Sequence, residues 1–236
     1  GGVAEEAVAV AFAAAAADVA QAHMLTGDLG ESALLAKRGQ LSEARLVAGT
    51  PIKVMLASPA ADGEAIQSKL GGSGAFWVED KFDGIRAQLH VSEGEVSLFS
   101  RDQRSLGQEF PEIILAGIQL PDIVLDGEII AYEEGRRLTF FDLQKRLGRK
   151  QQHRGQGNLF HVQETPVRFL AFDLLRLGGE DLWAHSLSER RAVLESVTLK
   201  PPFSLIEVDR MEGPEELEKA FKRSRARGNE GLIVKD

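Results

Sequence analysis

The chain has 236 residues, 43% of them hydrophobic and 27% charged, which is long enough to bury a sizeable core and too apolar for a disordered chain. It contains no cysteine, which excludes disulfides, thiolate metal sites and cysteine nucleophiles and fits a reducing, cytoplasmic compartment. The formal net charge of −8 argues mildly against nucleic-acid binding, because phosphate contacts need local positive charge.

Residues 7–17, "AVAVAFAAAAA", are too short to span a bilayer and follow Glu5 and Glu6 where a signal segment would carry basic residues. They read as an alanine-rich helix, and no membrane association is expected. "TGDLGESALLAKRG" continues the helical texture, with Gly30 as a break and Gly39 as a stop, and a short helix starts at Ser42. "GTPIKVMLASPA" at 49–60 carries two prolines and a glycine and opens a different texture. A boundary near residue 50 therefore divides a helical segment, 1–48, from a second domain, 49–236.

Beyond that boundary strands alternate with helices. Ile85, Ala87, Leu89 and Val91 alternate with Arg86, Gln88 and His90, the period of a half-buried strand, and "SEGE" at 92–95 turns it into "VSLFSR". Pro111 opens a helix to about Leu120. "DIVLDGEIIAY" at 122–132 is the next strand, "EEGRR" its turn, and "TFFDLQKRL" a short amphipathic helix. "PVRFLAFDLLRL" at 166–177 is a long buried strand closed by "GGED". Ser186 and Glu189 form a capping box for a helix to about Val197, "FSLIEVD" is a strand, Pro214 opens a last helix ended by Gly228, and "EGLIVKD" starts a final strand. The class is α+β, with mainly antiparallel sheets flanked by helices. A chain that stops inside a strand is expected to be part of a longer one.

Two basic runs oppose the overall charge, "LQKRLGRKQQHR" at 143–154 and "KRSRARG" at 222–228. Alone, each is most simply a solvated helix face. His23, His90, His153, His161 and His185 have no metal-ligand spacing and receive no role, and no structural metal is expected.

Lys81 stands in "EDKFDGIR", residues 79–86. A Lys-x-Asp-Gly pattern arises by chance in roughly one chain in thirty of this size, so it carries little alone. The weight comes from polar residues recurring at strand ends: "SRD" at 100–102, "LDGE" at 125–128, "FDLL" at 172–175 and "EGLIVK" at 230–235. A lysine is nucleophilic only as the neutral amine, which needs desolvation or positive neighbours such as Arg86, Arg101 or a divalent metal. Glu128 and Glu230 suit a magnesium ion, whose shell substrate phosphates and water complete. Arginines supply forked donors for phosphate oxygens. The set describes a phosphate-handling site. Singly, Lys81 has the ordinary explanation of an ion pair with Asp80 or Asp83, and Phe172 that of a core residue.

In this order the segments resemble the nucleotidyltransferase motifs of ATP-dependent DNA ligases. "SLGQEFPEI", "FFDLQKRLGRK" and "GTPIKVMLA" resemble that family's connecting segments, and "TGDLGESA" the end of its helical DNA-binding domain. The resemblance implies an ATP-grasp-like nucleotidyltransferase domain at 49–236, preceded at 1–48 by the last part of the DNA-binding domain. It implies that Lys81 attacks the α-phosphorus of ATP and holds AMP, which passes to the 5′-phosphate of a nick in double-stranded DNA before the 3′-hydroxyl seals the strand. Glu79 would meet the adenine or its nearby backbone, Phe172 would stack on the base, and Glu128 would bind ribose or the Mg2+ shell. Arg86 and Arg101 would contact phosphate, ribose or the DNA end, Glu230 the metal, and Lys235 the phosphate side. A monomer working at the nucleoid is implied. The family's later lysine-rich motif and OB-fold domain have no counterpart before Asp236, so adenylation by this chain alone is expected to be slow or absent, and the chain to bind nucleotide without sealing nicks unaided. Capping guanylyltransferases and RNA ligases share the Lys-x-Asp-Gly nucleophile, and a non-catalytic DNA-binding module is an alternative of another class.

Overall fold

The computed structural model describes residues 2–71, 75–152 and 165–236. Three helices come first: α1 (Gly2–Ala11), α2 (Ala16–Thr26) and α3 (Leu29–Arg38), followed by a 3-10 turn at Leu41–Glu43. The alanine-rich stretch is therefore two helices rather than one. Ala13 takes φ 53°, and the Ala14 N–H reaches back to the Ala9 carbonyl, the Schellman closure that ends a helix. Alanine's high propensity yields here to packing of α1 against α2 and α3. Gly30 lies inside α3 rather than breaking it. The break is at Gly27, left-handed at φ 67°, where an added Cβ would sit 2.2 Å from the Pro51 carbonyl oxygen. Asp28 then caps α3 through the Glu31 N–H, and Gly39 stops it as expected.

An irregular segment leads to α4 (Gly63–Leu70) and β1 (Phe76–Lys81). Next come β2 (Ile85–Ser92) and β3 (Glu95–Ser100), joined by a turn with Glu93 and Gly94 at positive φ, then α5 (Pro111–Gly117) and β4 (Ile123–Glu133). The short β5 (Arg136–Arg137), α6 (Phe140–Gln152), β6 (Val167–Leu177), β7 (Glu180–Asp181) and α7 (Leu187–Ser196) follow. The predicted Ser186–Glu189 capping box is present in full. The chain then forms β8 (Phe203–Leu205), β9 (Val208–Met211), α8 (Gly213–Ala226) and β10 (Gly231–Lys235).

Among the described residues the strands form two sheets. The large one has the order β3-β2-β4-β6-β7, with β5 beside β4 and β8 parallel to β6; every other pairing in it is antiparallel. The small one is antiparallel, β10-β1-β9. "FSLIEVD", expected as one strand, is split between them: β8 ends on the large sheet, and after Ile206 and Glu207 β9 begins on the small one. The Ile206 N–H bonds the Ala171 carbonyl and holds that crossing against β6.

Alternation along β4 separates the two faces of the large sheet. Ile123, Leu125, Ile129 and Ala131 enter the main core with Leu89, Phe110, Phe169 and Leu194, all essentially without solvent contact. Each such side chain contributes about 1.5–3 kcal/mol on burial. Gly127 is required there, since a Cβ would meet the Phe169 ring at 2.4 Å. Val124, Asp126 and Glu128 lie on the opposite face. At one end of that face Val124 and Leu175 pack with Ala22, Leu25, Ala44, Leu46 and Ile52, so the helical segment and the sheet share a cluster. The small sheet rests Phe76, Val78, Leu232 and Val234 on α4 and α8. Its other face is left for Trp77, Glu79 and Lys81.

Candidate active site

The two free faces meet. Lys81 ends β1 opposite Gly231, Glu79 lies two residues back opposite Ile233, and Lys235 on β10 is the partner of Trp77. Period two puts Glu79, Lys81 and Lys235 on one wall. The other wall carries Arg86 from β2, directly opposite Glu128 of β4, and Phe172 from β6. Phe172 emerges where the β4–β6 register shifts between Asp126 and Gly127. That bulge turns an aromatic ring out of an otherwise apolar strand. Lys235 Nζ lies 5.1 Å and the Arg86 guanidinium 5.3 Å from the Phe172 ring centre, so the ring faces both walls.

Lys81 Nζ pairs with the Glu230 carboxylate, and the Glu230 N–H donates to the Lys81 carbonyl at 2.9 Å. The aspartates flanking Lys81 are not its partners: on the opposite face Arg227 Nη2 donates to both Asp80 oxygens, at 2.7 and 2.8 Å. Both Lys81 and Glu230 remain partly exposed, with side chains at 46% and 41%. Lys235 Nζ donates to Glu79 at 2.6 Å. Burial pushes the Glu79 carboxyl up, and Lys235 partly offsets it. Arg86 gives Nε and Nη2 to Asp126 at 3.2 and 2.7 Å and Nη1 to the Met55 carbonyl at 2.7 Å. Burial pushes the Glu128 carboxyl up to about 7, with Arg86 pulling it down and Asp126 pushing it further up. The glycine after Asp83 is explained by contact: a Cβ on Gly84 would meet the Ile129 carbonyl oxygen at 2.5 Å and Glu128 Cγ at 2.8 Å.

The structure thus brings together Glu79, Lys81, Arg86, Glu128, Phe172, Glu230 and Lys235. It does not bring in Arg101. That residue sits in the turn after β3, its side chain 59% exposed, with an ion contact to neighbouring Asp102 at 3.8 Å. The basic runs are partly consumed by structure. Arg146 is 8% exposed and tied to Glu109 and Thr165 carbonyls and to Glu112, while Arg227 and Arg225 bind Asp80 and the Asn229 carbonyl. Arg154, His153 and His161 lie outside the described residues. Among the described residues no three His, Asp or Glu side chains converge as a preformed metal cage. Two carboxylates beside a lysine fit a hard cation whose shell a phosphate ligand completes.

Sequence reasoning assigned nothing to Asp126, Asp173, Gln88 or the Met55 carbonyl. Asp126 was readable from period two, being two residues from Glu128 on the same face. Asp173, which binds Arg190 through both oxygens at 2.7 and 2.9 Å, has an equivalent signal only once the β6 bulge is known.

Two facing, mainly antiparallel sheets, with a lysine on one and arginine, carboxylate and aromatic groups across from it on the other, define a nucleotidyltransferase domain. The comparisons give the family. Residues 54–236 match the ATP dependent DNA ligase domain, and the chain belongs to that family. A probable DNA ligase of Koribacter versatilis (strain Ellin345) is 37% identical over 98% of this chain and 43% of its own length. A DNA ligase of Methanothrix thermoacetophila is 36% identical over all of this chain and 41% of its own. The chain thus spans about two fifths of these curated relatives. Among solved structures, the ligase domain of M. tuberculosis LigD superposes with a TM-score of 0.52 at 27% identity, over 70% of this chain and 50% of that one. A mycobacterial DNA ligase D complexed with ATP and MES gives 0.51 at 27% identity, over 68% and 48%.

Proposed function

We propose that this chain is the nucleotide-accepting part of a ligase that seals nicked double-stranded DNA, with Lys81 as the nucleophile. The observation that carries this is Lys81 on the small sheet, paired with Glu230, facing the Arg86–Glu128–Phe172 wall. The neutral Lys81 amine attacks the α-phosphorus of ATP: its N–P bond forms as the bond to pyrophosphate breaks, leaving AMP on the lysine. Phe172 gives the adenine a stacking face and Glu79 a polar contact, while Lys235 and Arg86 neutralise phosphate charge. Glu128 and Glu230 would hold Mg2+, which would supply further charge neutralisation. AMP then passes to the 5′-phosphate at a nick. Arg101, exposed and outside the cluster, is reserved for the DNA end, and residues 1–48 are read as the close of a DNA-binding domain. The setting is cytoplasmic, at the nucleoid, in repair, replication or recombination, and the working unit is a monomer.

The test is incubation with Mg2+ and ATP labelled on the α-phosphate, beside Lys81→Ala, read by denaturing gel and intact mass. An AMP adduct absent from the variant is expected. An adduct surviving in Lys81→Ala would remove the nucleophile assignment, and preferential labelling by GTP would redirect the reading to cap formation.

A further inference from the structure

Gln88 and His90 point away from the main core along β2, yet each is only 1% exposed. What covers them is the irregular segment from Gly49 to Met55. His90 Nδ1 accepts the Gly49 N–H at 3.2 Å, which leaves the ring proton on Nε2 to face Gln88 Oε1 at 3.3 Å. Gln88 Oε1 also accepts the Ile52 N–H at 3.1 Å, and Gln88 Nε2 donates to the Ile52 carbonyl at 2.8 Å. The carboxamide thus grips one residue of the segment by both backbone groups, as a neighbouring strand would. From the other side Gln103 Nε2 donates to the Pro51 and Gly27 carbonyls at 3.0 and 3.1 Å. Three residues beyond Ile52, the Met55 carbonyl receives Arg86 Nη1.

We propose that Gln88 is a positioning residue for Arg86, acting through the 49–55 segment, with Gln103 as its counterpart on the far side. Asp126 binds Nε and Nη2 and sets where the guanidinium lies. Met55 binds Nη1 and completes the engagement of all three nitrogens, which fixes its plane beside Phe172 and Glu128. A one-residue slip of the segment carries the Met55 carbonyl about 3 Å along the chain direction, out of hydrogen-bond reach. Only a side chain with a donor and an acceptor on one planar group holds both Ile52 atoms, so the carboxamide, rather than bulk at position 88, sets that register.

The catalytic consequence rests on the reading of Arg86 as a phosphate or ribose contact, so the test has two readouts. Nitrogen-15 spectra resolve arginine Nε–H groups and, where hydrogen bonds slow rotation of the guanidinium, the Nη–H2 groups as well. In Gln88→Leu, which keeps the volume, and in Gln103→Asn, which shortens the reach while tolerating the positive φ of 60° at that position, solvent exchange of the Arg86 Nη1–H2, the group held by Met55, should rise about tenfold. The Arg190 Nε–H, bound to Asp173, should stay unchanged and reports that the fold is intact. In the same variants the KM for ATP in adduct formation should rise about tenfold with kcat within about threefold, since a misplaced contact weakens binding before chemistry. Unchanged Arg86 exchange in both variants overturns the positioning role. Raised exchange with unaltered adduct kinetics overturns its catalytic consequence. A wild-type chain that forms no adduct overturns the functional reading instead, and the spectra alone then decide the positioning.

Discussion

Replacing Glu128 by glutamine should stabilise the nucleotide-free protein at pH 8 and leave it unchanged at pH 4.5. The Glu128 carboxyl titrates at about 7 in the folded protein against an ordinary 4.5, chiefly because burial disfavours its charge. Between those values the unfolded chain has already lost the proton that the folded chain keeps, so stability falls as pH rises from 4.5 to about 7 and is level above. At 1.36 kcal/mol per pH unit the full span amounts to about 3 kcal/mol, or roughly 6 to 12 °C in Tm for a protein of this size. Glutamine carries no charge at any pH and escapes that cost. His90 slopes the other way: burial lowers it to about 4 from 6.5, so its contribution is full above 6.5 and is lost as pH falls to 4. The two slopes offset between pH 4.5 and 6.5, where Glu128→Gln should uncover a stability that rises with pH. Denaturant unfolding at half-unit steps from pH 4 to 8.5, without nucleotide or metal, measures the difference directly. A difference that does not vary with pH, or a variant less stable than wild type at pH 8, would refute the burial argument for Glu128.

Gly84→Ala should cost about 1–3 kcal/mol by forcing Glu128 and the Ile129 carbonyl aside, and should weaken nucleotide binding as well; calorimetric titration with ATP beside thermal melting separates the two effects. Ser186→Ala removes half of the α7 capping box and should cost about 1 kcal/mol, visible in the melting temperature and absent from nucleotide affinity. Arg190→Lys keeps the charge but loses the fork that grips both Asp173 oxygens, and should cost about 1.5–3 kcal/mol in unfolding experiments at neutral pH.

Local chemistry made much of the fold legible. Period-two alternation located β2, glycine and proline punctuation set the ends of α3, α5 and α8, and Ser186 with Glu189 marked α7 without ambiguity. Where reading failed, a tertiary contact outweighed a local preference. Alanine-rich propensity continued a helix that packing among α1, α2 and α3 interrupts, and Gly30 resembled a breaker while Gly27, pressed against Pro51, was the real one. The polar side of β2 promised solvent, yet Gln88 and His90 are buried because a segment 36 to 41 residues earlier lies on them. The candidate site residues were legible as motifs at strand ends and through their order along the chain, while Asp126, two residues before Glu128 on the same face, was passed over. Arg101 was placed by its motif, and nothing local to it revealed that its side chain lies exposed beside Asp102.

The crossing at Ile206 and Glu207 has a kinematic consequence. The small sheet joins the large one through three stretches: the irregular run before α4, residues 82–84 after Lys81, and residues 206–207 between β8 and β9. The two short ones lie at the same end of β1, since Val208 pairs with Glu79 and Lys81 is the strand's last residue. A rotation of the small sheet about those junctions moves each residue in proportion to its distance from them. Trp77 and its partner Lys235, four residues up the strand from Lys81, stand about 13 Å farther out. A rotation about those junctions therefore carries the far rim of the cleft by several ångströms while the Lys81 end of β1 moves little, so the opening of the cleft and the position of the Lys81 amine are separate degrees of freedom.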